Sequence, residues 1–515
     1  MNLCSLPGQA ARSECAPALD AIQSLRRVER ARSIGQVPTD AIHLFVHPVP
    51  VVILLADGVR PDTLEAAIAA GVLPALAELR HDGALHTVTS CFPSVTGPAY
   101  APFLMGRFPG PIGLPGLRWF DRSRTACTFP DYTRSYVGHQ LRAVDRDIVS
   151  DAPTIFELCG SSLGALNVIG RGLAPDRRIG SITLLAGLRA ARTHFTGNVR
   201  GWLDIDREVA RQVVRGVRQH RPEFTFAALT GVDKVSHATG HRSPMVVDAL
   251  RIVDDTAAAI RQDAERLGYW RELSLWVTSD HGHSPVRAHE DLAGVIASQG
   301  FRTLSHPWVF TPRPEVAVMV SGNAMAHLYV ELDRRERAGW PVLRAQWGAL
   351  LDAILARPSV DLAILPRSDG VDVRGADGSA VIRRQGAAYS YHAESGDPLG
   401  IGSDLYCVSA AEALDATIET DYPDGVVQIA HLAAATRSGD IILSAARDWD
   451  FRARYEPIRH VSSHGALHRE HMLVPLLVNR PVAGVPRRTV DVMPSALAIL
   501  GRPIPSGLDG ESFIT

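Results

Sequence analysis

The chain has 515 residues, of which 46% are hydrophobic and 21% are charged, and its formal net charge at pH 7 is −2. This length allows one large domain or two to three ordinary ones, and the composition is that of a globular protein. A net charge so close to zero gives no electrostatic basis for binding a nucleic-acid polymer or an anionic membrane.

Residues 1–42 form a polar, arginine-bearing extension in which the segment ALDAIQSLRRVERARS predicts one helix. The extension lacks the continuous apolar segment of a secretory signal. The apolar run at 43–56 is interrupted by His and Pro and is too short to span a bilayer. We therefore expect a cytoplasmic protein without a transmembrane segment. The six cysteines form no CxxC pair, so we interpret them as reduced, mostly buried thiols.

A strand followed by a helix is predicted by the stretch PVPVVILLADGVRPDTLEAAIAAGVLPALAELR. The run at 50–56 consists almost entirely of β-branched residues and leucine, which is typical of a strand buried on both faces. Asp57 and Gly58 end this strand, and Pro61 stands where a helix begins.

The same alternation of strand and helix recurs further along the chain. EFTFAALTGVD predicts a strand that ends at Asp233 and precedes the helix PMVVDALRIVDDTAAAIRQDAERLG, and ELSLWVTSDHGHSP predicts a strand that ends at Asp280. HMLVPLLVNRP predicts a late strand, and DVMPSALAILG predicts a helix that ends at Gly501. This order predicts an α/β fold with a doubly wound, mostly parallel sheet and helices on both faces. In such sheets the functional site lies at the carboxyl ends of the strands.

A different pattern, with glycine turns and short alternating segments such as GVDVRGADGSAVIRRQGAAYSYHAES, occupies residues 301–425. We predict that it forms an inserted α+β cap subdomain. The chain is thus divided into the extension at 1–42, an α/β core at 43–300, the insertion at 301–425, and a return to the core at 426–515.

Carboxylate and imidazole side chains follow the predicted strands. They are Asp57, Asp233 with His237, Asp280 with His281, and His464 in the segment SSHGALHREH. Taken singly, each has an ordinary structural alternative, such as a helix cap or a surface pair. Their joint occurrence near successive strand ends indicates a metal site. Nitrogen and oxygen ligands without thiolate suit zinc, with manganese or iron as alternatives.

These ligand-type residues, with the segments LLADGVRPD, FPSVTGPAY, MGRFP, SDHGHSP and SSHG, resemble the alkaline phosphatase superfamily. The resemblance is greatest to its nucleotide pyrophosphatase/phosphodiesterase (type I phosphodiesterase) branch. It implies two divalent metal ions, one held by Asp57, Asp280, His281 and the nucleophile, and the other held by Asp233, His237 and His464. Two such ions can hold the attacking and leaving oxygens of an in-line phosphoryl displacement.

The segment TSCFPSVTGPAY contains the candidate nucleophiles Cys91, Ser94 and Thr96. CFPSV resembles the Cys-x-Pro-x-Arg signature of sulfatases and phosphonate monoester hydrolases, but Val95 replaces the arginine. The order FPSVTGP resembles the phosphodiesterase loop and implies that Thr96 is the nucleophile and a metal ligand. A helix predicted to begin at Pro98 would favour phosphate oxygens at its N-terminus. A simple helix cap is the alternative role for Thr96.

The segment GLPGLRWFDR departs from the branch, because Leu117 stands where an asparagine normally holds a phosphate oxygen. Arg118 either binds the phosphate as a charged fork, which favours a monoester, or lies at the surface. Lys234 either reaches the substrate phosphate or points to solvent, and Trp119 either lines a leaving-group pocket or packs in the core. Further histidines are expected around the ligands, namely His241, His283, His468 and His471.

The predicted function is therefore two-metal hydrolysis of a small-molecule phosphate ester through a covalent phosphothreonine. A phosphodiester or pyrophosphate is the preferred substrate class. The alternatives are a phosphomonoesterase, then a sulfatase or phosphonate hydrolase of the same superfamily, and finally a non-catalytic binding protein on this fold. The sequence leaves the leaving group and the oligomeric state open.

Overall fold

The computed structural model describes residues 49–126, 132–180, 184–452 and 458–514. The predicted extension at 1–42, with its helix, lies outside these residues. None of the helices in the described ranges combines the length and the apolar character that a membrane span requires.

The secondary structure alternates between strands and helices in the first half of the chain and is richer in strands after residue 300. The strands are β1 (Val51–Ala56), β2 (Ala84–Thr89), β3 (Arg118–Phe120), β4 (Thr133–Ser135), β5 (Ser162–Ala165), β6 (Arg178–Ile179), β7 (Phe224–Leu229), β8 (Ser274–Thr278), β9 (Ser284–His289), β10 (Thr303–Ser305), β11 (Val316–Ser321), β12 (Met325–Val330), β13 (Val360–Pro366), β14 (Val371–Gly375), β15 (Gly378–Gln385), β16 (Ala388–Gly396), β17 (Leu405–Val408), β18 (Ile441–Ala445), β19 (Asp448–Asp450), β20 (Ser462–Ser463) and β21 (Leu473–Val478). The α-helices are α1 (Pro61–Ala69), α2 (Pro74–Asp82), α3 (Ala101–Met105), α4 (Val144–Asp147), α5 (Ile155–Leu158), α6 (Leu184–Phe195), α7 (Val199–His220), α8 (Gly231–Thr239), α9 (Pro244–Arg266), α10 (Leu292–Ser298), α11 (Trp340–Leu355), α12 (Ala410–Thr417), α13 (Gly425–Ala434), α14 (Arg469–Met472) and α15 (Val492–Ile499).

A seven-stranded sheet with the order β2-β21-β8-β1-β7-β5-β6 forms the centre of the fold. β1 pairs in parallel with β7 and β8, and β5 pairs in parallel with β6 and β7. Only β21 pairs in the opposite direction, with β2 and β8. The predicted mostly parallel sheet is therefore confirmed.

Strand β1 shows why this sheet is covered on both sides. All six of its residues are buried, and alternate residues belong to two separate core clusters. The side chains of α3 and α15 complete one cluster, and those of α1, α2, α7 and α9 complete the other. Successive side chains of a strand point to opposite faces, so the unbroken apolar run predicted helices on both faces. That prediction is confirmed.

A second sheet has nine strands in the order β10-β11-β12-β18-β13-β14-β15-β16-β17. All of its pairings are antiparallel except that of β10 with β11. The side chains of α11 pack with alternate residues of β13 on one face, and those of α13 pack with the others. Strand β18 (Ile441–Ala445) lies in the middle of this sheet, beyond residue 425. The boundaries of the insertion remain a prediction.

A short three-stranded sheet, β19-β9-β20, connects distant parts of the chain beside the first sheet. Ser462 and Ser463 of β20 pair with Pro285 and Ser284 at the start of β9. Because β9 follows β8 closely, this pairing brings the segment before His464 to the carboxyl end of the central strands.

Candidate active site

Three aspartates meet at the carboxyl edge of the neighbouring strands β8, β1 and β7. Asp57 directly follows β1, Asp280 lies two residues after β8, and Asp233 lies in the first turn of α8, just after β7. None of the three has any exposed surface. The parallel arrangement of adjacent strands thus places three carboxylates together, as the sequence predicted.

Three histidines close around these carboxylates. His237, one turn after Asp233 on α8, places Nε2 3.1 Å from Asp233 Oδ1. His281 places Nε2 3.4 Å from an oxygen of both Asp57 and Asp280. His464 places Nε2 3.4 Å from Asp233 Oδ1, and its ring stacks on that of His281 with centroids 3.7 Å apart. The six residues predicted as ligands are therefore brought together.

The hydrogen bonds of these imidazoles define which ring nitrogen faces the carboxylates. Nδ1 of His237 lies 2.9 Å from the carbonyl oxygen of Ser462, Nδ1 of His464 lies 2.9 Å from that of Ser94, and Nδ1 of His281 lies 3.1 Å from that of Gly282. A carbonyl oxygen only accepts, so each Nδ1 carries the hydrogen and each Nε2 presents a lone pair. This is the orientation in which a histidine binds a metal ion.

Burial and mutual repulsion govern the charges of the aspartates. Burial, together with the charges of Asp280 and Asp233, raises the pKa of Asp57 well above its usual value. Burial and the charge of Asp233 raise the pKa of Asp280 to about 7. Although burial by itself would raise the pKa of Asp233, Lys234 and His237 hold it well below its usual range.

This donor set fits the divalent ions that the resemblance implies. Asp280 Oδ2 is buried and has no hydrogen-bond partner among the described residues. The donor atoms fall into two groups, and within each group all atoms lie within 4.8 Å of one another. The first group consists of Asp57, Asp233 and His281, and the second consists of Asp233, His237, His283 and His464. A divalent cation stabilises such a group, because it offsets the repulsion between buried carboxylates and binds the lone pairs of the imidazoles.

The loop that follows β2 brings Thr96 to the same place. Its Oγ1 lies 3.0 Å from His281 Nε2 and 3.2 Å from Asp57 Oδ1. Cys91 and Ser94 are completely buried, whereas Thr96 is half-buried. Burial raises the pKa of the Cys91 thiol, which makes a thiolate there unfavourable. Of the three candidate nucleophiles, Thr96 has the position and the access that the chemistry needs.

A helix was predicted to begin at Pro98. A 3-10 turn at Pro98–Tyr100 leads into the five-residue helix α3. A helix this short does not support the predicted phosphate site at a helix N-terminus. The turn instead directs the Tyr100 hydroxyl to Asp57 Oδ2, 3.3 Å away.

The three predicted substrate-binding residues have different surroundings. Lys234 Nζ lies 2.7 Å from Asp233 Oδ2, at the edge of the ligand cluster. Arg118, in β3, directs Nη1 to the carbonyl oxygen of Val320, 3.3 Å away. Trp119 is completely buried, and the Arg437 guanidinium lies 4.4 Å from its ring centre. These surroundings favour packing in the core over lining a leaving-group pocket.

One histidine contributes more to the site than the sequence analysis assigned to it. His283 places Nε2 2.9 Å from Asp233 Oδ1 and Nδ1 3.2 Å from the hydroxyl of Ser462. Its position next to the Asp280-His281 pair, in the order DHGH, is the signal that could have identified it. Ser462 was missed, because only its pairing with β9 brings it to the site.

The sequence matches the profile of the type I phosphodiesterase/nucleotide pyrophosphatase family over residues 51–374, more than half of the chain. The chain belongs to this family. As a member of the type I phosphodiesterase family it is a metal-dependent phosphoric ester hydrolase. The matched region contains Thr96 and every predicted ligand except His464. The comparison with curated proteins found no match.

Several solved structures share the fold at low sequence identity. Phosphonoacetate hydrolase from Sinorhizobium meliloti 1021, in complex with phosphonoacetate, superposes with a TM-score of 0.53 and 17% identity over 88% of this chain and 96% of that chain. Human ectonucleotide pyrophosphatase/phosphodiesterase 5 superposes with a TM-score of 0.55 and 14% identity over 90% of this chain and 97% of that chain. An inactive threonine-to-alanine variant of murine ectonucleotide pyrophosphatase/phosphodiesterase 5, in complex with AMP, superposes with a TM-score of 0.50 and 15% identity over 88% of this chain and 96% of that chain.

Proposed function

We propose that this family member hydrolyses phosphodiester or pyrophosphate bonds of small molecules through a covalent phosphothreonine at Thr96. The observation that carries the proposal is the position of Thr96 Oγ1, 3.0 Å from His281 Nε2 and 3.2 Å from Asp57 Oδ1. A hydroxyl in contact with two candidate metal ligands is where an activated nucleophile is needed. In the murine relative, a variant with one threonine changed to alanine is inactive, so a threonine is needed for activity in that protein.

Two divalent ions, which we propose to be zinc, fit the donor set. Asp57, Asp280, His281 and Thr96 would hold one ion, and Asp233, His237 and His464 would hold the other. When bound, such ions supply Lewis-acid stabilisation of phosphoryl oxygens and lower the pKa of a hydroxyl nucleophile. The order of the Irving–Williams series and the nitrogen-rich second set favour zinc over manganese.

The residues of the chain carry the reaction in two displacements. Thr96 Oγ1 passes its proton to Asp57 Oδ1 and forms a bond to phosphorus while the bond from phosphorus to the leaving oxygen breaks, and the leaving group departs with that electron pair. Water then attacks the phosphothreonine, the bond between Oγ1 and phosphorus breaks, and a proton returns to Oγ1 to restore the threonine. Asp57 accepts a hydrogen bond from the Thr96 hydroxyl and so keeps Oγ1 directed toward the substrate.

The surroundings of Thr96 favour a diester over a monoester. Gly97 lies beside Leu117 and Val168, since a Cβ at Gly97 would fall 3.5 Å from Leu117 Cδ2 and 3.4 Å from Val168 Cγ1. This wall is apolar, and Arg118 directs its guanidinium to the carbonyl of Val320 instead. A dianionic monoester would gain little from such a wall, whereas the two organic groups of a diester tolerate it.

Hydrolysis of a phosphonate is the second candidate function. The phosphonoacetate hydrolase shares the fold over nearly the full length of both chains. The same nucleophile and ions could break a carbon–phosphorus bond when the leaving carbanion is stabilised by a neighbouring carbonyl group.

A substrate panel tests the proposal. Purified protein with added Zn²⁺ or Mn²⁺ is assayed with bis-nitrophenyl phosphate, nitrophenyl phosphate, nitrophenyl sulfate and phosphonoacetate. We expect the diester to be hydrolysed with the highest kcat/KM. Preference for phosphonoacetate would support the second candidate. Absence of metal binding and of turnover with all four compounds would contradict both.

A further inference from the structure

Four histidines surround the aspartates, and one of them differs from the other three in the group that its Nδ1 faces. Nδ1 of His237, His281 and His464 each faces a backbone carbonyl. Nδ1 of His283 instead faces a hydroxyl, Oγ of Ser462, at 3.2 Å. A hydroxyl can donate as well as accept, so the His283 ring is free to carry its hydrogen on Nε2.

The contact on the other side of the ring decides between the two tautomers. His283 Nε2 lies 2.9 Å from Asp233 Oδ1. With the hydrogen on Nε2, this contact is a hydrogen bond to a buried carboxylate, which is among the stronger kinds. With the hydrogen on Nδ1, a lone pair would face the carboxylate oxygen at that distance with no proton between them.

Ser462 has a competing acceptor, because its Oγ also lies 2.9 Å from the carbonyl oxygen of Ser284. Its single hydrogen serves either Ser284 or His283. Repulsion between a lone pair and a buried carboxylate costs more than the loss of one bond between two neutral groups. This comparison favours the arrangement in which the Ser462 hydroxyl turns from Ser284 to His283 Nδ1.

We propose that His283 is a positioning residue that donates from Nε2 to Asp233 and holds this carboxylate in place without binding the metal ion itself. This inference rests on the proposed second metal site of Asp233, His237 and His464. Ser462 contacts two of these histidines, since its carbonyl accepts from His237 and its hydroxyl oxygen lies 3.2 Å from His283 Nδ1. The four-member donor group around Asp233 thus contains three ligands and one residue that orients a ligand.

The turn after β1 is shaped to admit the His283 ring. Gly58 has φ +79°, and a Cβ at this position would lie 2.8 Å from Cδ2 and 2.9 Å from Nε2 of His283. Only glycine leaves that space open. The ring therefore packs against the backbone next to Asp57, so the positions of Asp57 and Asp233 are linked through it.

A crystal structure of the zinc-loaded full chain, with anomalous-difference maps, tests the proposal directly. We expect an ion about 2.0–2.2 Å from Asp233, His237 and His464, with His283 Nε2 still at hydrogen-bond distance from Asp233. An ion about 2.1 Å from His283 Nε2 would overturn the positioning role and make this residue a ligand. Absence of an ion between Asp233, His237 and His464 would contradict the proposed function instead.

Zinc affinity supplies a second readout. His283→Gln keeps a side-chain N–H near the position of Nε2, whereas His283→Phe fills the space without a donor. In titrations against a competing chelator, we expect His283→Phe to bind the second zinc about 10–100-fold more weakly and His283→Gln to recover most of this loss. His460→Phe, which alters a ring centred 4.1 Å from that of His237, is the matched control and keeps the wild-type affinity. Wild-type affinity in His283→Phe, or equal losses in both His283 variants, would overturn the proposal.

Discussion

The hydroxyl oxygen of Thr96 lies 3.0 Å from Nε2 of His281, although the two residues are 185 positions apart in the chain. Thr96 follows the edge strand β2, whereas His281 follows the inner strand β8, and β21 lies between these strands. The loop after β2 must therefore reach across the carboxyl edge of the sheet. Its closeness to Asp57 and His281 makes Thr96 the first residue to test.

Replacement of Thr96, the proposed nucleophile, should abolish turnover and leave the proposed metal site occupied. We expect Thr96→Ala to lower kcat at least about 1,000-fold, because no other hydroxyl in the loop is accessible to take over. Metal analysis of the same variant should still find close to the wild-type zinc content. Thr96→Ser, which keeps the hydroxyl, should retain measurable activity. Substantial turnover by Thr96→Ala would contradict the covalent mechanism.

Replacement of Cys91, in contrast to that of Thr96, should leave the activity nearly unchanged. Its thiol is completely buried, and burial raises its pKa, so we expect Cys91→Ala to keep kcat within about threefold of wild type. The small cavity left by the sulfur should cost about 1 kcal/mol of unfolding free energy. Complete loss of activity in a folded Cys91→Ala protein would instead favour chemistry at this cysteine.

The buried carboxylates predict a pH dependence of the chelator-treated protein. The pKa of Asp280 is raised to about 7 by burial and by Asp233, so the folded protein holds this proton more tightly than the unfolded chain does. Stability from this group is complete at low pH and is lost as pH rises through about 7.

Comparing the thermal unfolding of Asp280→Asn with that of wild type isolates this effect, because the neighbouring histidines are the same in both proteins. Between about pH 4 and pH 7, we expect chelator-treated wild type to lose Tm relative to Asp280→Asn. Saturating zinc should remove the loss, since the ions stabilise ionised carboxylates. Parallel curves for the two metal-free proteins would show that Asp280 is already ionised throughout.

Gly58 and Gly71 form a matched pair for testing the space occupied by His283. Both have positive φ, but a Cβ at Gly58 would collide with the His283 ring, whereas a Cβ at Gly71 would meet nothing within 4 Å. We expect Gly71→Ala to cost about 1 kcal/mol of unfolding free energy. Gly58→Ala should cost about 1–3 kcal/mol more and should weaken zinc binding. Equal effects of the two changes would contradict the contact.

The buried ion pair of Arg488 and Asp424 should contribute strongly to stability. Arg488 Nε and Nη2 donate to the two carboxylate oxygens of Asp424 at 2.8 and 2.6 Å, and Asp424 also accepts from Gln428. Asp424 precedes α13 beside the nine-stranded sheet, and Arg488 pairs with Thr89 at the end of β2, so the contact joins the two sheets.

Loss of one partner leaves a buried charge without compensation, so Arg488→Met should lower the unfolding free energy by about 3–5 kcal/mol. The neighbouring Arg487 pairs with Asp415 at the surface, and Arg487→Met should cost less than about 1 kcal/mol. Urea unfolding of the two variants measures the difference. Similar small losses in both would show that the buried pair contributes little.

Local sequence patterns were sufficient to predict the central sheet and the order of the candidate ligands along the chain. The apolar run before Asp57 predicts a strand with two covered faces, and the same pattern recurs before Asp233 and Asp280. Because parallel strands end at one edge, strand type alone predicts that these aspartates are neighbours. The helix at Pro244–Arg266 was equally predictable, since its buried residues recur every three or four positions.

Only the tertiary structure decided which side chains around those ligands reach the site. His464 arrives through the pairing of β20 with β9, and β18 enters the middle of the nine-stranded sheet from beyond the predicted insertion. Trp119 is turned into the core, and His283 is turned to Asp233. Strand pairing and side-chain orientation depend on contacts between residues far apart in the chain, whereas a local pattern reports only on spacing along one element. The sequence therefore determined the types and the order of the candidate ligands, and long-range packing determined which side chains lie around them.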